Sequence, residues 1–157
     1  AVVGACVDGE PTMAGKPARP LLEATCTRLG CHRPIFVGDR LDTDILGAHN
    51  AGITSLFVLT GAHGVHDLMD AGPDRRPDHI GADLGALLEP PQRVVVGGDA
   101  ARCDGQLVRQ IDGDLEVDLT NHDMAAQLSG VRALLELVWT DRVPVNHDAL
   151  SVFDLLH

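Results

Sequence analysis

Short apolar runs and helical stripes alternate along residues 1–90. Leu22, Cys26 and Leu29 recur at helical spacing, with Pro17 and Pro20 ahead of them and Gly30 behind, which predicts a helix over Ala18–Leu29. Ile35–Val37 is short and wholly apolar, the pattern of a strand buried on both faces. Asp42 or Thr43 is placed to cap a helix that runs to about Ala51 and stops at Gly52. Ile53–Leu59 predicts a second buried strand, Gly61 and Gly64 a loop, and Val65–Ala71 a helix. Asp78–Ile80 reads as a last short strand and Asp83–Leu88 as a closing helix. Strands alternating with helices predict parallel pairing, an α/β fold with a Rossmann-like sheet.

Glu89-Pro90-Pro91-Gln92 breaks this rhythm. Beyond it, Val94–Val96 is an apolar run, and Gln106–Ile111 and Asp114–Leu119 flank the hairpin signal Asp112-Gly113. Leu115, Val117 and Leu119 alternate as a half-buried strand does. Met124, Leu128, Val131, Leu135 and Val138 trace one helical face, although Gly130 costs about 1 kcal/mol there against Ala. The pattern predicts two units, a parallel-sheet core over residues 1–90 and a small α+β C-terminal appendage over residues 91–157. The opening Ala1-Val2-Val3-Gly4-Ala5 reads as the interior of an element, as in a fragment.

Composition narrows the function. The chain has 157 residues, 45% hydrophobic and 22% charged, a globular composition. Its net charge of −11 disfavours nucleic acid and anionic membranes as partners, and no apolar run is long enough to span a bilayer. Cys6, Cys26, Cys31 and Cys103 show neither a CxxC pair nor zinc spacing; Cys26 and Cys31 read as small core-facing residues, and free thiols point to a reducing, cytoplasmic setting. Association into a homo-oligomer is left open.

The candidate chemistry centres on Val37-Gly38-Asp39, a carboxylate at the end of a predicted strand, where open α/β sheets bind ligands. Asp42 and Asp44 follow; the trio by itself fits both helix capping and metal binding. Upstream stands Lys16, between Gly15 and Pro17. A P-loop is excluded, because Gly9 lies at the wrong spacing and Pro17 replaces the hydroxyl and lacks an N–H. No central glycine follows Asp44, so a calcium loop is excluded as well. Asp112-Gly113-Asp114 looks like a DxD nucleophile, yet Arg109 and Gln110 interrupt the strand before it and a hairpin accounts for it better. Val96-Gly97-Gly98-Asp99, with Asp104 beyond, echoes the strand-Gly-Asp pattern but lacks a helix after it. His63 and His66 can share a helical face, without a third ligand for zinc.

Gly15-Lys16-Pro17, Arg19-Pro20-Leu21-Leu22 and Val37-Gly38-Asp39-Arg40-Leu41-Asp42-Thr43-Asp44-Ile45-Leu46-Gly47-Ala48 together resemble the haloacid dehalogenase superfamily, as does the continuation Ala51-Gly52-Ile53 through Leu59-Thr60-Gly61. The branch they look like contains phosphoglycolate, 4-nitrophenyl and pyridoxal phosphate phosphatases, and within it the actinobacterial members that hydrolyse glycerol 3-phosphate. The likeness covers residues 1–90. It implies a magnesium-dependent phosphatase of small phosphorylated metabolites, working through an aspartyl-phosphate. It further implies catalytic roles for Lys16, Asp39 and Asp44: Lys16 on the phosphoryl group and the nucleophile, Asp39 as magnesium ligand, and Asp44 as the trailing acid that supports the metal or its waters. Arg40, Leu41 and Thr43 are spacers in that pattern.

The nucleophile-bearing DxDG strand, a second-motif Ser or Thr and the cap domain of that superfamily have no counterpart here. The resemblance therefore implies a partner, the N-terminal half of the same phosphatase, and a chain that is inactive alone, with an unpaired strand edge that lowers its solubility. Those actinobacterial relatives carry a tail likened to part of an acetyltransferase, but Arg93-Val94-Val95-Val96-Gly97-Gly98 misses the pyrophosphate-loop pattern by one residue. The rival reading is a non-catalytic ligand-binding or regulatory module, for which the Lys16, Asp39 and Asp44 trio has no evident use.

Overall fold

A computed structural model of the chain describes residues 13–140 and 143–156; Cys6, Gly9 and the opening Ala1–Ala5 lie outside them. Helix α1 (Pro20–Leu29) leads into strand β1 (Ile35–Gly38), a π-helical turn over Leu41–Ile45 and helix α2 (Leu46–Ala51). Strand β2 (Thr54–Val58), helix α3 (Val65–Met69) and strand β3 (His79–Gly81) follow. The three strands pair in parallel in the order β1-β2-β3, with Gly38 beside Phe57 and Val58 beside Gly81. This is the parallel α/β sheet predicted from the alternation. It places the ends of β1 and β2 side by side, so the loops leaving both strands meet.

The second sheet is antiparallel: β4 (Val94–Gly97), β5 (Ala100–Cys103), β6 (Gln106–Ile111) and β7 (Asp114–Asp118), in chain order. Asp112 and Gly113 both take positive φ (52° and 96°), the turn expected of that dipeptide. Asp104-Gly105 forms an equivalent turn, at 45° and 84°, between β5 and β6. Asp99 and Asp104 therefore lie in hairpin turns, and their echo of the strand-Gly-Asp pattern is turn chemistry. The long helix α4 (Met124–Trp139) is capped by Asp123, whose carboxylate accepts the Ala126 N–H. Apolar residues surround α4 nearly all round, because it packs between the sheets rather than on a surface. At Gly130 a Cβ would lie 2.7 Å from Leu119 Cδ2 and 2.8 Å from Phe153 Cε1, so the glycine is required by close packing. Met124, the first residue of the predicted stripe, is instead exposed.

Both sheets share one core. Leu41, Ile45, Phe57 and Leu68 join Val108, Leu134, Leu150 and Phe153 in a single buried cluster. Hydrogen bonds cross the Pro90-Pro91 break as well: Arg132 donates to the Ile80 carbonyl, and the Trp139 indole N–H to the Leu68 carbonyl at 3.0 Å. Burial holds the Arg132 guanidinium below its usual pKa and raises that of the Cys103 thiol.

Several local expectations need correction. Ile35–Val37 is not buried on both faces: Ile35 is exposed and the others are half-buried, since β1 is an edge strand among the described residues. In α1 only Leu22 is buried, and Leu29 is 72% exposed, because the helix packs chiefly on α2, which is only six residues long. Cys26 and Cys31 are half-buried at the helix end, where the Cys31 thiol faces the Cys26 carbonyl. Asp83 caps a 3-10 turn over Leu84–Leu88 rather than a full helix, and Leu84, Leu87 and Leu88 face outward. Arg93-Val94-Val95-Val96-Gly97-Gly98 runs along β4 into a hairpin, whereas the loop entering α4 has the Asp123 carboxylate where an anion would bind. No described helix is long and apolar enough to cross a membrane.

Candidate active site

The three side chains that the family resemblance points to, Lys16, Asp39 and Asp44, lie at the carboxyl end of β1. Lys16 sits in a tight turn in which Gly15 accepts from the Ala18 N–H and Ala14 from the Leu21 N–H. Asn50 donates to the Pro17 carbonyl, and Gly47 brings α2 close beneath Lys16 and Pro17. The turn thus rests on the helix that follows β1, which is how a residue 28 positions away reaches Asp44. Lys16 Nζ donates to Asp44 Oδ1 at 2.6 Å and stands 5.8 Å from the centroid of the Phe36 ring. The lysine side chain is 41% exposed, whereas that of Asp44 is 5% exposed.

Asp44 is anchored twice. Its Oδ2 accepts the Arg40 N–H at 3.2 Å, so both carboxylate oxygens have donors. That contact satisfies the entry to the π-helical turn, the task expected of Asp42 or Thr43. Asp42 does not cap; it forms a forked pair with the Arg40 guanidinium, at 2.8 and 3.2 Å. The fork forms because both side chains leave the turn toward solvent, and the arginine's hydrogen bonds hold the Asp42 carboxyl below its usual pKa.

Asp39 follows β1 directly and is half-buried. Its Oδ2 accepts the Ala62 N–H at 2.8 Å, from the loop leaving β2. Glycines make room for both acids: a Cβ at Gly61 would overlap the Asp39 carboxylate, and one at Gly38 would overlap Asp44. The site therefore has a partly exposed cation fixed by a buried acid, beside a second acid held on one oxygen. Such a set can hold an anionic phosphoryl group and a hard divalent cation together. Among the described residues no group of three or more His, Cys, Asp or Glu is placed to hold a metal. A cavity of about 230 Å³ lies at the opposite, amino end of the sheet, against α4, and is lined by residues such as Ile35, His79 and Trp139, with none of the three site residues.

The loop Gly61–His63 was legible only as a loop. His63 precedes α3, and its Nδ1 accepts the Leu41 N–H, whereas His66 lies on α3 and stacks on His147, so the two histidines do not form one face. The available signal was positional: these residues follow the second strand at the end where Asp39 follows the first. Asp112 lies in the β6–β7 turn, outside this cluster.

Comparison with known proteins identifies the family. Residues 13–87 match the HAD-hydrolase-like family. The chain is 38% identical over 148 residues to D-glycerol 3-phosphate phosphatase of Mycobacterium tuberculosis, covering 88% of this chain and 39% of that protein. It is 39% identical over 87 residues to phosphoglycolate phosphatase 2 of Arabidopsis thaliana, covering 52% and 29%. The crystal structure of a glycerol phosphate phosphatase of M. tuberculosis in complex with magnesium superposes with a TM-score of 0.63 at 32% identity, over 99% of this chain and 48% of that one. The chain thus spans less than half the length of these relatives. By motif, fold and family match, it belongs to the HAD-like hydrolases and corresponds to the C-terminal part of their phosphatases.

Proposed function

We propose that the chain forms the phosphoryl-binding and metal-binding side of a magnesium-dependent hydrolase of small phosphomonoesters, glycerol phosphate being the first substrate to try. The reading is carried by one observation: the Lys16–Asp44 pair at 2.6 Å beside Asp39, at the carboxyl end of a parallel strand. The names of the mycobacterial relatives support the substrate, and the magnesium complex of one of them supports the metal.

In this proposal the nucleophile is an Asp supplied by an upstream segment. Its carboxylate oxygen attacks phosphorus, the ester P–O bond breaks, and the leaving alkoxide takes a proton from water to depart as the alcohol. Water then cleaves the aspartyl-phosphate, returning the carboxylate and releasing phosphate. The Lys16 ammonium spends one donor on Asp44 and has two left for phosphoryl and nucleophile oxygens, where a fixed charge is most effective. The donor set fits magnesium: Asp39 offers a carboxylate whose Oδ1 has no hydrogen-bond partner among the described residues. Magnesium is held by one or two carboxylates with water and substrate oxygens, and when bound it stabilises charge on the transferring phosphoryl. Asp44 would support the site as the second acid, through Lys16. The edge of β1, which has no partner strand among the described residues and leaves Ile35 exposed, gives the upstream half a strand to pair with. A cytoplasmic setting belongs to the same proposal, on the free Cys26, Cys31 and Cys103 thiols.

The test is turnover of 4-nitrophenyl phosphate and glycerol 3-phosphate by this chain, by the upstream half and by their mixture, with magnesium and with a chelator. Activity confined to the mixture and abolished by chelation is expected. A folded mixture without activity rejects the reading, and activity of this chain alone assigns the nucleophile to it, with Asp112 the first residue to replace.

A further inference from the structure

We propose that Gly61–His63 is a strap that positions Asp39, and that the His63 imidazole is its fastening; the inference rests on the phosphatase reading only for what Asp39 binds. Ala62 and His63 grip the segment Asp39–Leu41 at three points. The Ala62 N–H donates to Asp39 Oδ2 at 2.8 Å, the His63 N–H donates to the Asp39 carbonyl at 3.2 Å, and His63 Nδ1 accepts the Leu41 N–H at 2.9 Å. The first bond orients the carboxylate, the second fixes the backbone that carries it, and the third locks the entry to the following turn.

The third contact is the one a side chain makes. Leu41 begins the π-helical turn, so its N–H is one of the donors that a helix cannot satisfy from within. Leu41 is buried, and its amide would be costly to leave unpaired. Because the donor is a backbone N–H, Nδ1 carries the lone pair and the ring hydrogen is on Nε2. Gly61 lets the strap lie against the carboxylate, since a Cβ there would overlap it. With Oδ2 tied down, Asp39 presents Oδ1 in one direction, the preorganisation that metal ligands receive from their supporting shell. His63 touches no substrate in this arrangement; it is a positioning residue.

The experiment uses the isotopically labelled chain assembled with the unlabelled upstream half, and two substitutions. His63→Asn keeps an acceptor oxygen close to the position of Nδ1, whereas His63→Leu keeps bulk without an acceptor. Hydrogen exchange at the Leu41 and Ala62 amides reads the strap directly, and a magnesium titration followed at the Asp39, Arg40 and Ala62 amides reads its consequence. His63→Leu is expected to lose exchange protection at Leu41 and to weaken magnesium binding about 10-fold, the lower end of what supporting-shell changes do. His63→Asn is expected to stay near wild type in both, a rescue that general loss of packing does not give. Unchanged Leu41 protection and magnesium affinity in His63→Leu overturn the proposal, as does a His63→Asn variant that behaves like His63→Leu. If the wild-type amides do not respond to magnesium, the phosphatase reading falls instead, and Leu41 exchange alone decides the strap.

Discussion

Replacing Asp44 by Asn changes one oxygen to an NH2 group at the point where two donors converge. Lys16 Nζ and the Arg40 N–H each occupy a different oxygen of Asp44, and an amide has a single acceptor oxygen. One donor must therefore face an N–H, and the charge attraction to Lys16 is lost. Two unit charges about 4 Å apart near a protein surface attract by about 4 kcal/mol. Because the lysine side chain is 41% exposed, solvent screens most of this, and a net loss of about 1–2 kcal/mol is expected. For a chain of this size that is a fall of about 3–6 °C in Tm. The larger effect falls on chemistry: an unanchored ammonium lowers kcat of the assembled enzyme about 10–100-fold, as a misplacement near 1 Å does. A double-mutant cycle with Lys16→Met measures the coupling in kcat and in Tm. Strongly non-additive effects on kcat are expected; if the two substitutions simply add, Asp44 does not act through Lys16 and the reasoning fails.

Four further outcomes follow from the same geometry. Lys16→Ala in the assembled enzyme should lower kcat at least about 100-fold, and Lys16→Arg should restore it only in part because a planar fork does not reproduce a point charge; near wild-type turnover by the Ala variant would return Lys16 to the ordinary surface. Asp39→Asn should leave Tm nearly unchanged and raise the magnesium concentration needed for half-maximal rate; full activity at limiting magnesium would remove Asp39 from the metal site. Gly130→Ala gains about 1 kcal/mol in helix propensity and loses about 1–3 kcal/mol to overpacking against Leu119 and Phe153, so chemical denaturation should show a net loss near 1 kcal/mol; a more stable variant would show that those side chains yield freely. Ending the chain at Pro91, with the upstream half present, should leave magnesium-dependent hydrolysis measurable while lowering Tm, since every hydrogen bond of Lys16, Asp39 and Asp44 comes from residues before Gly64 but the core does not stop there; loss of activity in a folded truncated protein would place the tail in the site.

Local order was decided by the amino-acid sequence itself. Periodicity marked the strands around Phe36 and Phe57 and the long helix after Asp123, because a strand or helix shows its buried face as a period of residues. The Asp112-Gly113 turn was legible because few dipeptides accept two positive φ values in succession. Gly38-Asp39 after an apolar run placed a carboxylate at the sheet's carboxyl end, and the family likeness tied it to Lys16 and Asp44.

Tertiary structure decided what periodicity cannot encode. Whether Ile35–Val37 is enclosed depends on its neighbours in the sheet, and an apolar run reads the same at an edge as at the centre. The choice of Asp44 over Asp42 as the acid at the entry to the turn came from a π-helical turn that brings Asp44 back onto the Arg40 N–H, and local sequence does not distinguish those two acids. Gly130 read as a cost until Leu119 and Phe153 were seen against it. His63 and Ala62 reach Asp39 only because parallel pairing sets the exit of β2 beside the exit of β1. Contacts between loops at the same end of neighbouring strands leave no period in the chain, so they become visible only once the sheet is formed.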